Sequence, residues 1–279
     1  MKILGIDFTS SPKANKPLTC VRCALEGTTL HFDRLECWPG FEQFEDVLKE
    51  PGPWIAGVDF PFGQSRTFIE NIGWPNDWAG YVAYAASFDR EGFCKALNDY
   101  KKPRRKGDKE HRRATDKAAG SISSQKLYGV PVGKMFFEGA PRLLRSGVTI
   151  PVLLSGDPER IVVEAYPGVL ARHLIGRVSY KNDTRKKQTE ALLAARIKIV
   201  DEILGGKLEE KFGFHVEAER NLADDPSGDQ LDALLCAIQA AWAWTQRESG
   251  YGAPLDTDPL EGWIADPGLR KINANMQKI

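Results

Sequence analysis

Lys2-Ile3-Leu4-Gly5-Ile6-Asp7 decides how this chain reads. A short apolar run ends in a carboxylate, and a polar, helix-averse turn follows at Thr9-Ser10-Ser11-Pro12. A run of this length bounded by turn signals predicts a strand buried on both faces. An ionised Asp is seldom held in such a place unless it is paired or holds a metal. The pattern returns as Trp54-Ile55-Ala56-Gly57-Val58-Asp59 before Phe60-Pro61, and as Ile161-Val162-Val163-Glu164 before Ala165-Tyr166-Pro167. Three buried strands are thus predicted, each with a carboxylate near its C-terminal end.

Outward from the first strand, residues 18–25 and 28–37 read as two more, joined in a hairpin at Glu26-Gly27. Phe41, Phe44, Val47 and Leu48 fall at helical spacing. A strand–helix–strand crossover then places strand 54–59 parallel to the first. Asp7 and Asp59 would share the sheet edge where open α/β sheets keep their sites. Later, Leu192, Leu193, Arg196, Ile197, Val200, Ile203 and Leu204 mark a helix capped near Asp183 or Thr184 and stopped by Gly205-Gly206. A last helix opens at Ser227-Gly228-Asp229-Gln230, which has the form of a capping box, and buries Leu231, Leu234, Leu235, Ile238 and Trp242. Asp229 and Asp232, three apart, share a face that continues as the small residues Cys236 and Ala240. The predicted fold class is α/β: a mixed sheet, antiparallel hairpin plus parallel strands, flanked by helices. Residues 1–245 form one domain interrupted by a long insertion at about 60–160. Residues 246–279 are an extension, pinned to the body by Gly262-Trp263-Ile264, with a weakly ordered last dozen residues.

Composition sets outer bounds. The 279 residues are 42% hydrophobic and 27% charged, with 38 basic against 38 acidic residues, as in an ordinary globular protein. No apolar run reaches the length of about 18 residues that a membrane span requires, and the N-terminus has no secretory h-region. The five cysteines lack disulfide-like density, and the Cys20-Val21-Arg22-Cys23 pair has no second CxxC to complete a metal site. A reduced, cytoplasmic protein is expected.

The acids carry the chemistry. If Asp7, Asp59, Glu164, Asp229 and Asp232 converge at one end of the sheet, they must take up protons or bind a hard cation. Mg²⁺ or Mn²⁺ suits an all-oxygen site and retains waters that a substrate phosphate can displace. Two such ions can clamp the attacking and leaving oxygens of a phosphodiester cleavage. No G-x-S-x-G or HExxH motif offers another route, and the four histidines are scattered. Each acid also has a structural reading. Asp7 and Asp59 would close their strands, Glu164 would pair with a buried Arg, and Asp229 would answer the helix dipole. A basic run at 101–126 holds ten Lys or Arg against three acids, with glycines and serines that suggest a mobile loop. It is either solvated surface or an arm on nucleic-acid phosphates, with Arg112, Arg113 and Lys117 as contacts. Tyr100, Tyr128, Phe136 and Phe137 would then be stacking platforms or core.

These residues resemble a family. Gly5-Ile6-Asp7, Gly57-Val58-Asp59-Phe60-Pro61, Glu164-Ala165-Tyr166-Pro167 and Asp232-Ala233 resemble the ribonuclease H-like superfamily. Within it they are most similar to the predicted nucleases called domain of unknown function 429. The Asp229/Asp232 pair also resembles the acidic ending of Holliday-junction resolvases, although Asp59 stands where those carry Glu and the insertion is unusually long. The resemblance implies metal-dependent cleavage of DNA or RNA, with Asp7, Asp59, Asp229 and Asp232 holding Mg²⁺ or Mn²⁺. Glu164 would then be a ligand or a base beside the ions. Two other readings stand beside this one. In an actin-like phosphotransferase, Thr9 and Ser10 would meet phosphate in a first phosphate loop, but a second Asp-x-Gly-[ST] loop is missing. A nucleic-acid-binding protein without catalysis is the other.

Overall fold

The computed structural model describes residues 1–182 and 184–269, the side chain of Arg185 excepted. Among the described residues seven strands form one mixed sheet: β1 (Lys2–Asp7), β2 (Leu18–Glu26), β3 (Thr29–Trp38), β4 (Trp54–Val58), β5 (Val148–Thr149), β6 (Asp157–Glu164) and β7 (His215–Glu217). Their order is β5-β6-β4-β1-β2-β3-β7. β2 is antiparallel to β1 and β3, whereas β4 runs parallel to β1, and β6 parallel to β4. The predicted hairpin and crossover are both present. The short edge strands are additions, β5 parallel to β6 and β7 parallel to β3. Three residues such as His215-Val216-Glu217 carry too little pattern to be read in advance.

Helices cover both faces. α1 (Glu42–Val47), α2 (Arg66–Ile72), α3 (Trp78–Ala86), α4 (Arg90–Lys101) and α6 (Val132–Ser146) pack an aromatic-rich core against Leu4, Ile6, Ala56, Val58 and Val162. The segment predicted as an insertion therefore forms most of one covering layer, because it supplies Phe68, Tyr81, Phe93 and Phe136 to that core. Between these helices lies the short α5 (Ala114–Ala119), near the site. The other face receives α7 (Pro167–Ile175), α8 (Glu190–Leu204), α9 (Glu209–Phe212) and α10 (Asp229–Thr245), packed on Ile3, Val21, Ile55, Ile161 and Val163. α8 is capped by Thr189, whose hydroxyl accepts from Leu192 N at 3.4 Å, not by Thr184; Asp183 lies outside the described residues. The last helix is buried almost throughout, as its nearly continuous apolar composition requires.

α10 lies against the sheet because two glycines admit it. A Cβ at Gly5 would overlap the backbone of Ala233 and Ala237, and one at Gly57 the carbonyl of Cys236. Ala240 Cβ would also sit 3.3 Å from the Gly57 addition. Side chains alternate along a strand, so Asp7 and Asp59, each two residues past its glycine, point to the same α10 face. Asp232 then stands next to the first of these contacts, at Ala233, and one turn before the one at Cys236.

The C-terminal extension is part of this body. Trp263, Ile264 and Ala265 are buried, and Ile264 bridges in parallel to Glu164. The expected weakly ordered end lies from residue 270 onward outside the described residues. No helix of the described residues is long and apolar enough to cross a membrane.

Candidate metal centre

Asp7, Asp59 and Asp232 each present a carboxylate oxygen, and these oxygens all lie within 4.8 Å of one another. The first two end β1 and begin the turn after β4, and the third is on the first turn of α10. Asp229 joins the same cleft from the start of α10, but it is not among the three that converge most closely. The capping box read at Ser227 forms differently. Gly228 is the N-cap at φ 77°, Asp225 Oδ2 accepts from Gln230 N at 3.2 Å, and the Ser227 hydroxyl donates to Asp225. A carboxylate outside the helix answers its first turn more strongly than the Ser hydroxyl.

Electrostatics in the cluster favour a cation or protons. Burial raises the Asp7 pKa well above the usual carboxylate range; Asp229, Asp232 and Asp59 add to the rise and Lys181 opposes it. Burial likewise raises Asp59, to about 7, against the pull of Lys181 and with the help of Asp232 and Glu164. Asp229 is raised too, again chiefly by burial. Two residues that sequence reasoning missed complete the cluster. Tyr180 Oη donates to Asp232 Oδ1 at 2.6 Å, and Lys181 Nζ donates to Asp232 Oδ2. Nothing marked them beforehand. They lie in a polar stretch without periodicity, 52 and 51 residues before Asp232 in the chain.

Glu164 takes the structural alternative. The β4–β6 register pairs it with Val58, not Asp59, so by strand alternation it faces away from α10. Its oxygens accept from Arg113 Nη2 at 2.5 Å and Nη1 at 2.7 Å, and from Phe62 N at 2.8 Å. Arg113 is 1% exposed and also binds Asp116 and the Glu261 carbonyl. Its guanidinium therefore joins α5, β6 and the C-terminal extension, and the expected reach to a substrate phosphate is replaced by this internal network. Arg112 and Lys117 are exposed and lie outside the cleft lining.

The start of the basic run is held by local partners. Lys102 pairs with Asp99 at 2.6 Å and Lys101 with Glu110 at 2.7 Å. Arg104 pairs with Asp108 at 2.8 Å and lies 4.1 Å over the Tyr100 ring. The loop read as mobile is tied down: the Ser123 hydroxyl donates to the His111 carbonyl at 2.7 Å, and the buried Gln125 accepts from His111 N at 2.6 Å. Of the four aromatics, Tyr100 and Phe136 are buried, Phe137 packs 4.8 Å from Phe93, and Tyr128 is 65% exposed.

The cluster forms the acidic end of a cleft of about 700 Å³. Thr9 and Ser10 line it, and Ser10 is fixed by Arg90, which donates to its carbonyl at 2.8 Å and its hydroxyl at 3.2 Å. Apolar groups supply the walls, among them Phe8, Val130, Pro131, Met135 and Tyr166. Such a site combines one strongly polar end with apolar walls, the usual make-up of a small-ligand pocket.

The three closest carboxylates suit a hard divalent ion. Oxygens around Mg²⁺ sit about 2.1 Å from the metal, so opposed ligands are about 4.2 Å apart. The observed upper bound of 4.8 Å is close to that span. No curated protein and no solved structure matches the chain significantly. A family described as "Protein of unknown function (DUF429)" matches residues 5–257, from the glycine of the first strand to beyond the last helix, and the chain belongs to that family.

Proposed function

We propose that this protein is a divalent-metal-dependent nuclease with a ribonuclease H-like core, hydrolysing phosphodiester bonds of DNA or RNA. The observation that carries the proposal is the convergence of Asp7, Asp59 and Asp232 at one end of a cleft large enough for a nucleotide-sized group. The sheet order supports the superfamily reading, with β1 central, its antiparallel hairpin on one side and parallel β4 and β6 on the other. An actin-like phosphotransferase needs two such cores, and the described residues contain one sheet.

Asp7, Asp59 and Asp232 would hold Mg²⁺ or Mn²⁺, with Asp229 beside them. The ion would polarise the phosphoryl group and offset the charge that develops in the transition state. The chain's own residues do the rest. The three acids, which would themselves repel a phosphate, fix the place at the end of the cleft where the ion would sit. Tyr166, half-buried in the cleft wall, offers its ring to an unpaired base, a sequence-tolerant contact. The buried floor excludes bulk water and strengthens every charge interaction there. Arg113 and Glu164 fix the wall behind it.

The test is calorimetric titration of Mn²⁺ into the protein beside an Asp7→Asn/Asp232→Asn double variant, then a screen of single-stranded and structured nucleic acids in Mn²⁺. Uptake and cleavage that both vanish in the variant support the reading. Equal Mn²⁺ uptake by both proteins refutes the metal site.

A further inference from the structure

The cluster already holds a cation of its own. Lys181 Nζ donates to Asp232 Oδ2, and the Lys181 stem lies on the head of α10, where a Cβ added at Gly228 would meet Lys181 Cβ at 2.9 Å. Tyr180 Oη engages the other oxygen of the same carboxylate at 2.6 Å. Asp232 is fully buried, so its charge is answered by these two donors rather than by solvent. A divalent ion drawn to Asp7, Asp59 and Asp232 would meet the Lys181 ammonium on the carboxylate of one of its own ligands, and two cations at one carboxylate repel.

The backbone beneath Lys181 is fixed while the side chain has a way out. Buried Arg196 donates from Nη1 to the Tyr180 carbonyl at 2.9 Å and from Nε to the Ala223 carbonyl at 2.7 Å. That clamp ties residue 180 to α8 and to the chain leading into α10. The Lys181 side chain itself is 35% exposed and lines the cleft. Its four-carbon stem can withdraw the ammonium into the cleft by side-chain rotation alone, leaving Tyr180 on Asp232.

We infer that Lys181 is the resting counter-ion of the carboxylate cluster, and that the divalent ion of the reading above, on which this inference rests, enters by displacing its Nζ from Asp232. Lys181 thereby sets a threshold for loading. The cluster is stable without metal, and its apparent metal affinity is lower than three buried carboxylates would give on their own. Tyr180 keeps Asp232 in one orientation in both forms.

Two measurements test this. Mn²⁺ is titrated calorimetrically into the wild type and into Lys181→Met, which keeps the apolar stem and removes the charge. The variant is expected to bind about tenfold more tightly, the equivalent of about 1.4 kcal/mol. In the wild type, lysine acetylation read by mass spectrometry is expected to modify Lys181 faster with Mn²⁺ present than without it. This second readout stands even if Lys181→Met folds poorly. Equal or weaker Mn²⁺ binding by a folded Lys181→Met, or Lys181 labelling that Mn²⁺ leaves unchanged or slows, overturns the displacement and leaves the metal reading intact. No Mn²⁺ uptake by either protein refutes the metal reading itself, and the inference with it.

Discussion

Arg113 and Glu164 meet end-on in a two-bond ion pair of 2.5 and 2.7 Å, with side chains 1% and 4% exposed. Both belong to the sequence pattern that suggests a catalytic site, yet each satisfies the other. A buried pair of this kind is weak evidence for net stability, but removing one partner leaves an uncompensated charge. Arg113→Ala is therefore expected to cost about 3–5 kcal/mol in denaturant unfolding. Glu164→Gln, which keeps the shape and loses the charge, is expected to lower the melting temperature while leaving Mn²⁺ affinity within about twofold, a difference below about 0.5 kcal/mol. If Glu164→Gln melts normally and binds no Mn²⁺, Glu164 belongs with the metal ligands.

Gly5 offers a sharper link between packing and site. A Cβ there has no free space, because it would overlap the main chain of Ala233 and Ala237 rather than a side chain that can turn away. Gly5→Ala must push α10 off the sheet, and Asp232 moves with it. The expected loss is about 3 kcal/mol or more, at the upper end of overpacking costs. Mn²⁺ binding should be lost in protein that still shows a folded circular dichroism spectrum. A variant that is stable and binds Mn²⁺ like the wild type would disprove this account of how the site is assembled.

Asp59 ties the acids to pH. Its folded pKa is about 7, above the ordinary value of about 3.9 that the unfolded chain returns to. Between those values the folded protein holds a proton that the unfolded protein releases, so stability falls as pH rises through this window and levels off above about 7. Without divalent ions, the wild type should therefore melt at progressively lower temperature from about pH 4 to 7 in this contribution. Asp59→Asn should flatten that slope and raise the melting temperature at pH 8. Adding Mn²⁺ at pH 8 should restore the wild type and not the variant. Thermal melts across pH in chelator and in Mn²⁺ decide it, and a slope unchanged in Asp59→Asn would exclude Asp59 as its source.

The acids at the strand ends were legible in the sequence because strand periodicity and turn chemistry are local. Gly5-Ile6-Asp7 and Gly57-Val58-Asp59 carry both the buried run and its stop. Parity and register are less local. That Glu164 faces away from Asp59 depends on its pairing with Val58, which a single strand does not specify. Tyr180 and Lys181 were invisible because their contacts join distant segments and their own neighbourhood has no pattern. The loop at residues 101–126 differs from its reading for a related reason. Glycines, serines and charges around residues 101–126 signal a loop, whereas what holds that loop is the buried Gln125 and Ser123, both bonded back to His111, and Arg113, bonded across the fold to the Glu261 carbonyl.

The exposed part of the basic run leaves one quantity to measure. Arg112 and Lys117 flank the buried Arg113 and reach solvent. If they grip phosphates on strands leading into the cleft, each contact releases counterions and steepens the salt dependence by about 0.7 for single strands. In an Asp7→Asn background, which keeps substrate uncut, Arg112→Ala/Lys117→Ala should weaken single-stranded oligonucleotide binding. The slope of log Kd against log salt should flatten by about 1.4, the sum for two contacts. The Mn²⁺ affinity of Arg112→Ala/Lys117→Ala in the wild-type background should stay that of the wild type, because neither residue lines the cleft. A slope that does not change assigns both charges to solvated surface, and nucleic-acid affinity would then rest on groups inside the cleft.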